Sequence, residues 1–134
     1  MQQLFRRFGA LAADATPCGK PLAMAHAHAL MILGERGTLS QQALGGELCV
    51  DKSNVARLCA RMVDAGHVVQ QPGEHDGRSR QVSLTARGET LAREVEASSK
   101  ARFGSLLARV PAARRAAVLE GLQHLVDALP KGTE

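Results

Sequence analysis

Asp51-Lys52-Ser53-Asn54-Val55-Ala56-Arg57-Leu58-Cys59-Ala60-Arg61-Met62-Val63-Asp64-Ala65-Gly66 is the stretch on which the fold turns. It reads as one helix, with Asp51 as N-cap and Gly66 closing it. Val55, Leu58, Cys59, Met62 and Val63 make its apolar face; Ser53, Asn54, Arg57, Arg61 and Asp64 make the opposite one. A hairpin is expected next: His67-Val68-Val69-Gln70, a tip Pro72-Gly73-Glu74-His75-Asp76-Gly77-Arg78, and a return strand Arg80-Gln81-Val82-Ser83-Leu84-Thr85. Its strands alternate only briefly, as Val68/Gln70 and Val82/Leu84. A helix with a cationic face joined directly to a hairpin with a basic tip is suited to reading duplex DNA with a helix and a wing.

Outward from this unit the chain is helical. Upstream, Ser40 is an N-cap for a short helix to about Leu48, with Leu39 and Leu44 at the spacing of a hydrophobic staple. Gly45-Gly46 makes that helix weak by itself, so packing must hold it. Cys49-Val50 is the turn into the Asp51 helix, which completes a helix-turn-helix pattern. Before it, a helix runs from about Ala23 to Glu35, and Arg36-Gly37 ends it. Leu4, Phe5, Phe8, Leu11 and Ala12 fall on one face of a first helix of about three turns. Thr16-Pro17-Cys18-Gly19-Lys20-Pro21 breaks the chain between these two. Downstream, Thr85 caps a long helix, about Ala86 to Ala108, and Pro111 suits the first turn of a sixth. In the sixth, Val118, Leu119, Leu122, Leu125, Val126 and Leu129 form a continuous stripe. It is too apolar for a free terminal helix and wants a partner; packing inside one chain is the alternative.

Bulk properties set bounds on partners. The 134 residues suit one domain with a reasonable core. Net charge is +4 and the pI about 9.4, which fits a nucleic-acid partner without requiring one. Between Lys52 and Arg93 the basic residues are Lys52, Arg57, Arg61, Arg78, Arg80, Arg87 and Arg93, against Asp64, Glu74, Asp76 and Glu89. So small an excess means that a DNA footprint must come from placement rather than total charge. The chain has no Trp or Tyr and only Phe5, Phe8 and Phe103 as aromatics. Single-strand and RNA binders stack bases on aromatic platforms, so this poverty points to duplex readout. No apolar run is long enough for a membrane span, and no signal-peptide core opens the chain, so a cytoplasmic protein is expected. Three cysteines without a CxxC argue against a disulfide framework or zinc ribbon.

Side chains near the N-terminus of a helix in the major groove reach base edges. Lys52, Ser53, Asn54 and Arg57 are therefore the candidate readers, Asn suiting adenine and Arg or Lys suiting guanine. Arg61, one turn further on, suits phosphate. The alternative is that Arg57 and Arg61 are solvated charges on an ordinary surface helix. Arg78 and Arg80 sit where the hairpin tip passes into its second strand, and an arginine on a narrow loop can enter the minor groove. Asp76 would repel phosphate there, so its role is to fix an arginine fork; otherwise Asp76 and Gly77 serve turn geometry alone.

Asp76-Gly77-Arg78-Ser79-Arg80-Gln81-Val82-Ser83-Leu84-Thr85-Ala86-Arg87-Gly88 closely resembles the D-x-R…LT-x-x-G wing signature of MarR-type winged-helix regulators. Asp51 to Leu58 and Met62 to Val68 resemble the recognition helix of that family and its turn into the wing. Helix order and lengths fit too, so the resemblance covers nearly the whole chain. It implies a mainly α fold with a small β-hairpin wing: a winged helix-turn-helix with long N- and C-terminal dimerisation helices. It places the DNA-binding lobe at about 23–88 and the dimerisation helices at about 1–15 and 89–130 of a single domain. It further implies a homodimer held by the first, fifth and sixth helices, most often a repressor, on a pseudo-palindromic operator. Half-sites about one helical turn apart follow from two-fold symmetry. Ser53, Asn54, Arg57 and Arg78 match positions that touch DNA in the family. The first helix begins almost at Met1, so the N-terminal arm that some members use is expected to be short or absent.

Members of such families respond to small aromatic acids or phenols, to oxidants through cysteine, or to metal. Cys18, beside Lys20 in a loop, is the candidate redox switch, although no tyrosine is present to support a thiolate and the first helix has no cysteine. Cys59 reads as an inert core thiol. His26 and His28 point to different sides of a helix and do not share a metal; either lines an effector crevice or both are ordinary helix residues. That crevice would be lined mostly by Leu, Met and Ala. No metal site, cofactor or enzymatic constellation is expected. A small-molecule effector, double-stranded DNA and a second copy of the chain are the expected partners. The alternative to a DNA-binding regulator is a winged-helix protein-interaction module, favoured by the small charge excess.

Overall fold

The computed structural model describes residues 1–74 and 79–131, so Asp76 and Arg78 lie outside the described residues. The elements run α1 (Gln2–Phe8), α2 (Met24–Arg36), β1 (Leu39–Ser40), α3 (Gln41–Leu48), α4 (Lys52–Asp64), β2 (Val68–Pro72), β3 (Arg80–Leu84), α5 (Ala86–Ala108), a 3-10 turn (Ala112–Arg114) and α6 (Arg115–Ala128). The fold is mostly helical with a three-stranded antiparallel sheet in the order β1-β3-β2. No helix of the described residues is long and apolar enough to cross a membrane.

The N-caps explain why the central helices start where they do. Ser40 Oγ accepts from the Ala43 N–H at 3.0 Å, Asp51 Oδ1 from Asn54 at 2.8 Å, and Thr85 Oγ1 from Gly88 at 3.1 Å. Each satisfies an N–H that the first helical turn leaves unpaired. Leu30 and Leu33 of α2, Leu44 of α3, Cys59 and Met62 of α4, and Val68 and Val82 of the sheet form the core. This core joins α3, α4 and the sheet to α2, and α5 packs against α2 with Ala92 in the same core. Gly45 suits the close approach of α3 to α4, since a Cβ there would stand 3.1 Å from Val55 Cγ1, tighter than an ordinary contact. Cys49 adopts a left-handed φ of 56°, which lets its N–H and that of Val50 close onto the carbonyls of Gly46 and Gly45.

Four expectations change. First, α1 stops after about two turns, because Gly9, at φ 90°, turns its N–H back onto α1. Leu11 and Ala12 therefore leave its face. Second, Leu39 and Ser40 do more than staple and cap: they form β1, paired with Val82 and Gln81. Third, Pro111 precedes a 3-10 turn, and α6 proper starts only at Arg115. Arg115 bonds back to the carbonyls of Val110 and Ala108, both at 3.0 Å, and so pins the corner between α5 and α6. Fourth, Val63 belongs to no core face and is 40% exposed at the end of α4.

Among the described residues, α6 buries none of its own side chains. Val118, Leu119, Leu125, Val126 and Leu129 are exposed, as are Leu4 and Phe5 of α1 and Phe103 of α5.

Candidate nucleic-acid interface

The exposed face of α4 carries Lys52, Ser53, Asn54, Arg57 and Arg61, all open to solvent. Asp51 organises its N-terminal end. Its two carboxylate oxygens accept from both the backbone N–H and the side-chain Nδ2 of Asn54, the latter at 2.9 Å. Asn54 Oδ1 in turn accepts from Arg57 Nη2 at 2.7 Å. Asp51, Asn54 and Arg57 thus form one chain of hydrogen bonds along the helix surface. Sequence reading assigned Asp51 to capping alone and missed this second contact. The signal was local: Asp, Asn and Arg at successive i, i+3 steps.

The wing follows α4 in the chain, and β2 packs against that helix. β2 and β3 pair from Val68↔Leu84 to Pro72↔Arg80, and the Gly73 N–H reaches Ser79 O at 2.7 Å beyond the last pair. Arg80 is exposed at the start of β3, on the side of the tip. Gln70 of β2 donates to Gln41 Oε1 of α3 at 2.8 Å, which ties the wing to the helix-turn-helix. An Arg36–Glu47 ion pair joins α2 to α3. The candidate readers and Arg80 are therefore mounted on elements bound to one another.

A second feature lies away from this surface. A cavity of about 240 Å³ opens between α1, the loop before α2, α2 itself and α5. Phe8, Cys18, His28, Met31, Arg102 and Phe103 are among its walls. Arg102 sits over the Phe8 ring at 6.0 Å, and its Nε is buried without a hydrogen-bond partner among the described residues. An apolar chamber with a buried, unsatisfied guanidinium nitrogen suits an anionic ligand with a flat apolar body. Cys18 Sγ lies 3.0 Å from Thr16 Oγ1 at the rim.

The two α2 histidines part company. His28 lines the cavity, whereas His26 is buried elsewhere and bonds to His67. The lining departs from the expected Leu, Met and Ala, because two of the three phenylalanines are in it. Phe8, Arg102 and Phe103 were missed, since only folding brings the ends of α1 and α5 together. Cys59 is fully buried, and burial pushes its thiol pKa up, as for a core thiol. A larger, shallower hollow of about 830 Å³ between α3 and the end of α6, with Cys49 and Leu129 in its walls, holds no comparable buried polar group among the described residues. No group of three or more His, Cys, Asp or Glu able to hold a metal occurs among the described residues.

Residues 21–79 match the MarR family. Over almost its whole length the chain is similar to solved regulators. A probable transcriptional regulator from Pseudomonas aeruginosa is 26% identical, with a TM-score of 0.76 over 93% of this chain and 92% of the other. A MarR transcriptional regulator from Methanosarcina mazei Go1 is 24% identical, with a TM-score of 0.76 over 94% and 90%. BpsR of Bordetella bronchiseptica, whose DNA binding is regulated by 6-hydroxynicotinic acid, is 19% identical, with a TM-score of 0.76 over 96% and 91%. No curated protein matches.

Proposed function

We propose that this chain is a MarR-type transcriptional regulator, acting as a homodimeric repressor that reads a pseudo-palindromic operator and is released by a small aromatic acid. The observation that carries the reading is the hydrogen-bonded Asp51–Asn54–Arg57 chain on the open face of α4, next to the wing. It presents an amide and a guanidinium, the two groups best suited to adenine and guanine edges, at the end of the helix that enters a major groove. Lys52 and Ser53 extend the reading surface, and Arg61 takes a phosphate. Arg80 and Arg78 serve the adjacent minor groove.

The effector reading rests on the cavity between α1, α2 and α5. Its Arg102 Nε would satisfy a carboxylate, while Phe8, Phe103 and Met31 cover an aromatic ring. The regulation of the Bordetella neighbour by a hydroxylated aromatic acid is consistent with that chemistry. Cys18 borders the same cavity, so oxidation of its thiol would be felt at the same place.

Selection of bound sequences from a random duplex pool tests the function. A palindrome with half-site centres about one helical turn apart is the expected result. Failure to enrich any sequence, with no salt-dependent binding, would favour a protein-interaction module instead.

A further inference from the structure

His26 and His67 are joined across the lobe. His26, on α2, is 9% exposed, and its Nε2 lies 2.9 Å from Nδ1 of His67, which sits in the turn between α4 and β2. The rings meet edge to face, with centroids 5.1 Å apart. His67 is also where three other elements converge. Its N–H donates to Met62 O of α4 at 3.0 Å, and its carbonyl accepts from the Thr85 N–H at 3.0 Å. Thr85 Oγ1 donates to the neighbouring Gly66 O at 2.6 Å. The histidine pair therefore ties α2 to the end of α4, the root of the wing and the start of α5. On another face, the same α2 lines the cavity with Met24, Ala27, His28 and Met31, spaced as one helical stripe.

A hydrogen bond between two imidazoles needs one proton between the facing nitrogens. With both rings neutral, one N–H donates and the other nitrogen accepts. A first added proton leaves that bond in place, as an imidazolium donating to a neutral ring. A second puts an N–H on each facing nitrogen, and the bond gives way to repulsion.

The surroundings resist charge. Burial, then the neighbouring His67, holds His26 below the ordinary imidazole value of 6.5. Burial, then the Arg87 guanidinium, does the same to His67. From α5, Arg87 and Glu94 border the hollow beside His67, and Glu94 faces Lys20 of the loop before α2 at 3.7 Å. The nearest ionisable side chains of α4, Arg61 and Asp64, are exposed.

We propose that the His26–His67 pair is a proton-operated latch between α2 and the root of the wing, closed while the facing nitrogens share one proton and open when each carries its own. Its consequence for DNA rests on the function proposed above; the latch itself does not. The unfolded chain binds these protons more readily than the folded one. Stability is therefore full above the ordinary imidazole value and falls as pH drops through it.

The test follows the imidazole resonances of the whole chain, and its melting temperature, from about pH 8 to about pH 5. Joint titration of His26 and His67 below the ordinary value is expected, with a melting temperature that falls over the same range. In His26→Gln only one ring of the pair remains to titrate, and the fall should shrink about two-fold. Independent titration of the two rings near the ordinary value would overturn the latch, as would an undiminished fall in His26→Gln. If His26→Gln does not fold, the wild-type resonances decide the matter alone. On the selected duplex at fixed salt, wild-type affinity should drop about ten-fold across the titration, and less in His26→Gln. Joint titration with a flat affinity would overturn the link to the wing. A chain with no DNA affinity at all would still show joint titration, which separates failure of the latch from failure of the functional reading.

Discussion

Asn54 is held between opposite charges. The Asp51 carboxylate accepts from its backbone N–H and from its side-chain Nδ2, and its side-chain oxygen accepts from the Arg57 guanidinium. Groups already oriented lose less freedom when they meet a base edge, so this chain of bonds favours tight and selective contact. Arg57→Ala should cost about 1–3 kcal/mol on the selected duplex and relax its sequence preference. Mobility shift on selected and random duplexes at one salt concentration measures both; equal losses would make Arg57 a phosphate contact only. At the cavity, Arg102→Gln should weaken binding of a small aromatic carboxylate such as benzoate about ten-fold, near the lower end for a charge-assisted hydrogen bond. Calorimetry would register this, and unchanged affinity would move the ligand out of the cavity.

Among the elements, Gly88 shows how packing can reverse a propensity. In an open helix, Ala is favoured over Gly by about 1 kcal/mol. Here a Cβ would come within 1.9 Å of His67 O, a backbone atom pinned by Thr85. Gly88→Ala should therefore destabilise the fold by about 3 kcal/mol, the upper end for overpacking, as read from denaturant midpoints. The same contrast separates what was legible in the sequence from what was not. The starts of α3, α4 and α5 were legible because Ser40, Asp51 and Thr85 act on donors three residues away. β1 was not, since a two-residue strand exists only through its pairing with Val82 and Gln81. The length of α1 was misjudged because the apolar spacing runs on past Gly9. The polar, exposed face of α4 was legible because it lies on one contiguous helix. The cavity was not, because Phe8 and Arg102 meet only when α1 and α5 do.

At the scale of the whole molecule, the exposed side of α6 is the surface that the proposed dimer would cover. Val126 and Leu129 are 62% and 66% exposed, and with Leu4, Phe5 and Phe103 they leave much apolar surface uncovered. A double substitution, Leu125→Asp with Val126→Asp, should convert a dimer to monomers in sedimentation, and the wild-type melting temperature should rise with concentration. A monomeric wild type would overturn the dimer. The 23-residue α5 then acquires a mechanical meaning. It touches the cavity through Arg102 and Phe103 and meets the root of the wing at Ala86, about 24 Å away along a helix rising about 1.5 Å per residue. A rod of that reach multiplies angle into distance. Tilting it by about 5° at the cavity would carry the wing roughly 2 Å, more than the span over which a hydrogen bond to a base survives. In the proposed dimer, an effector would need neither to melt nor to block anything; a few degrees of lean would lift both reading heads off a ruler whose marks are fixed by the DNA.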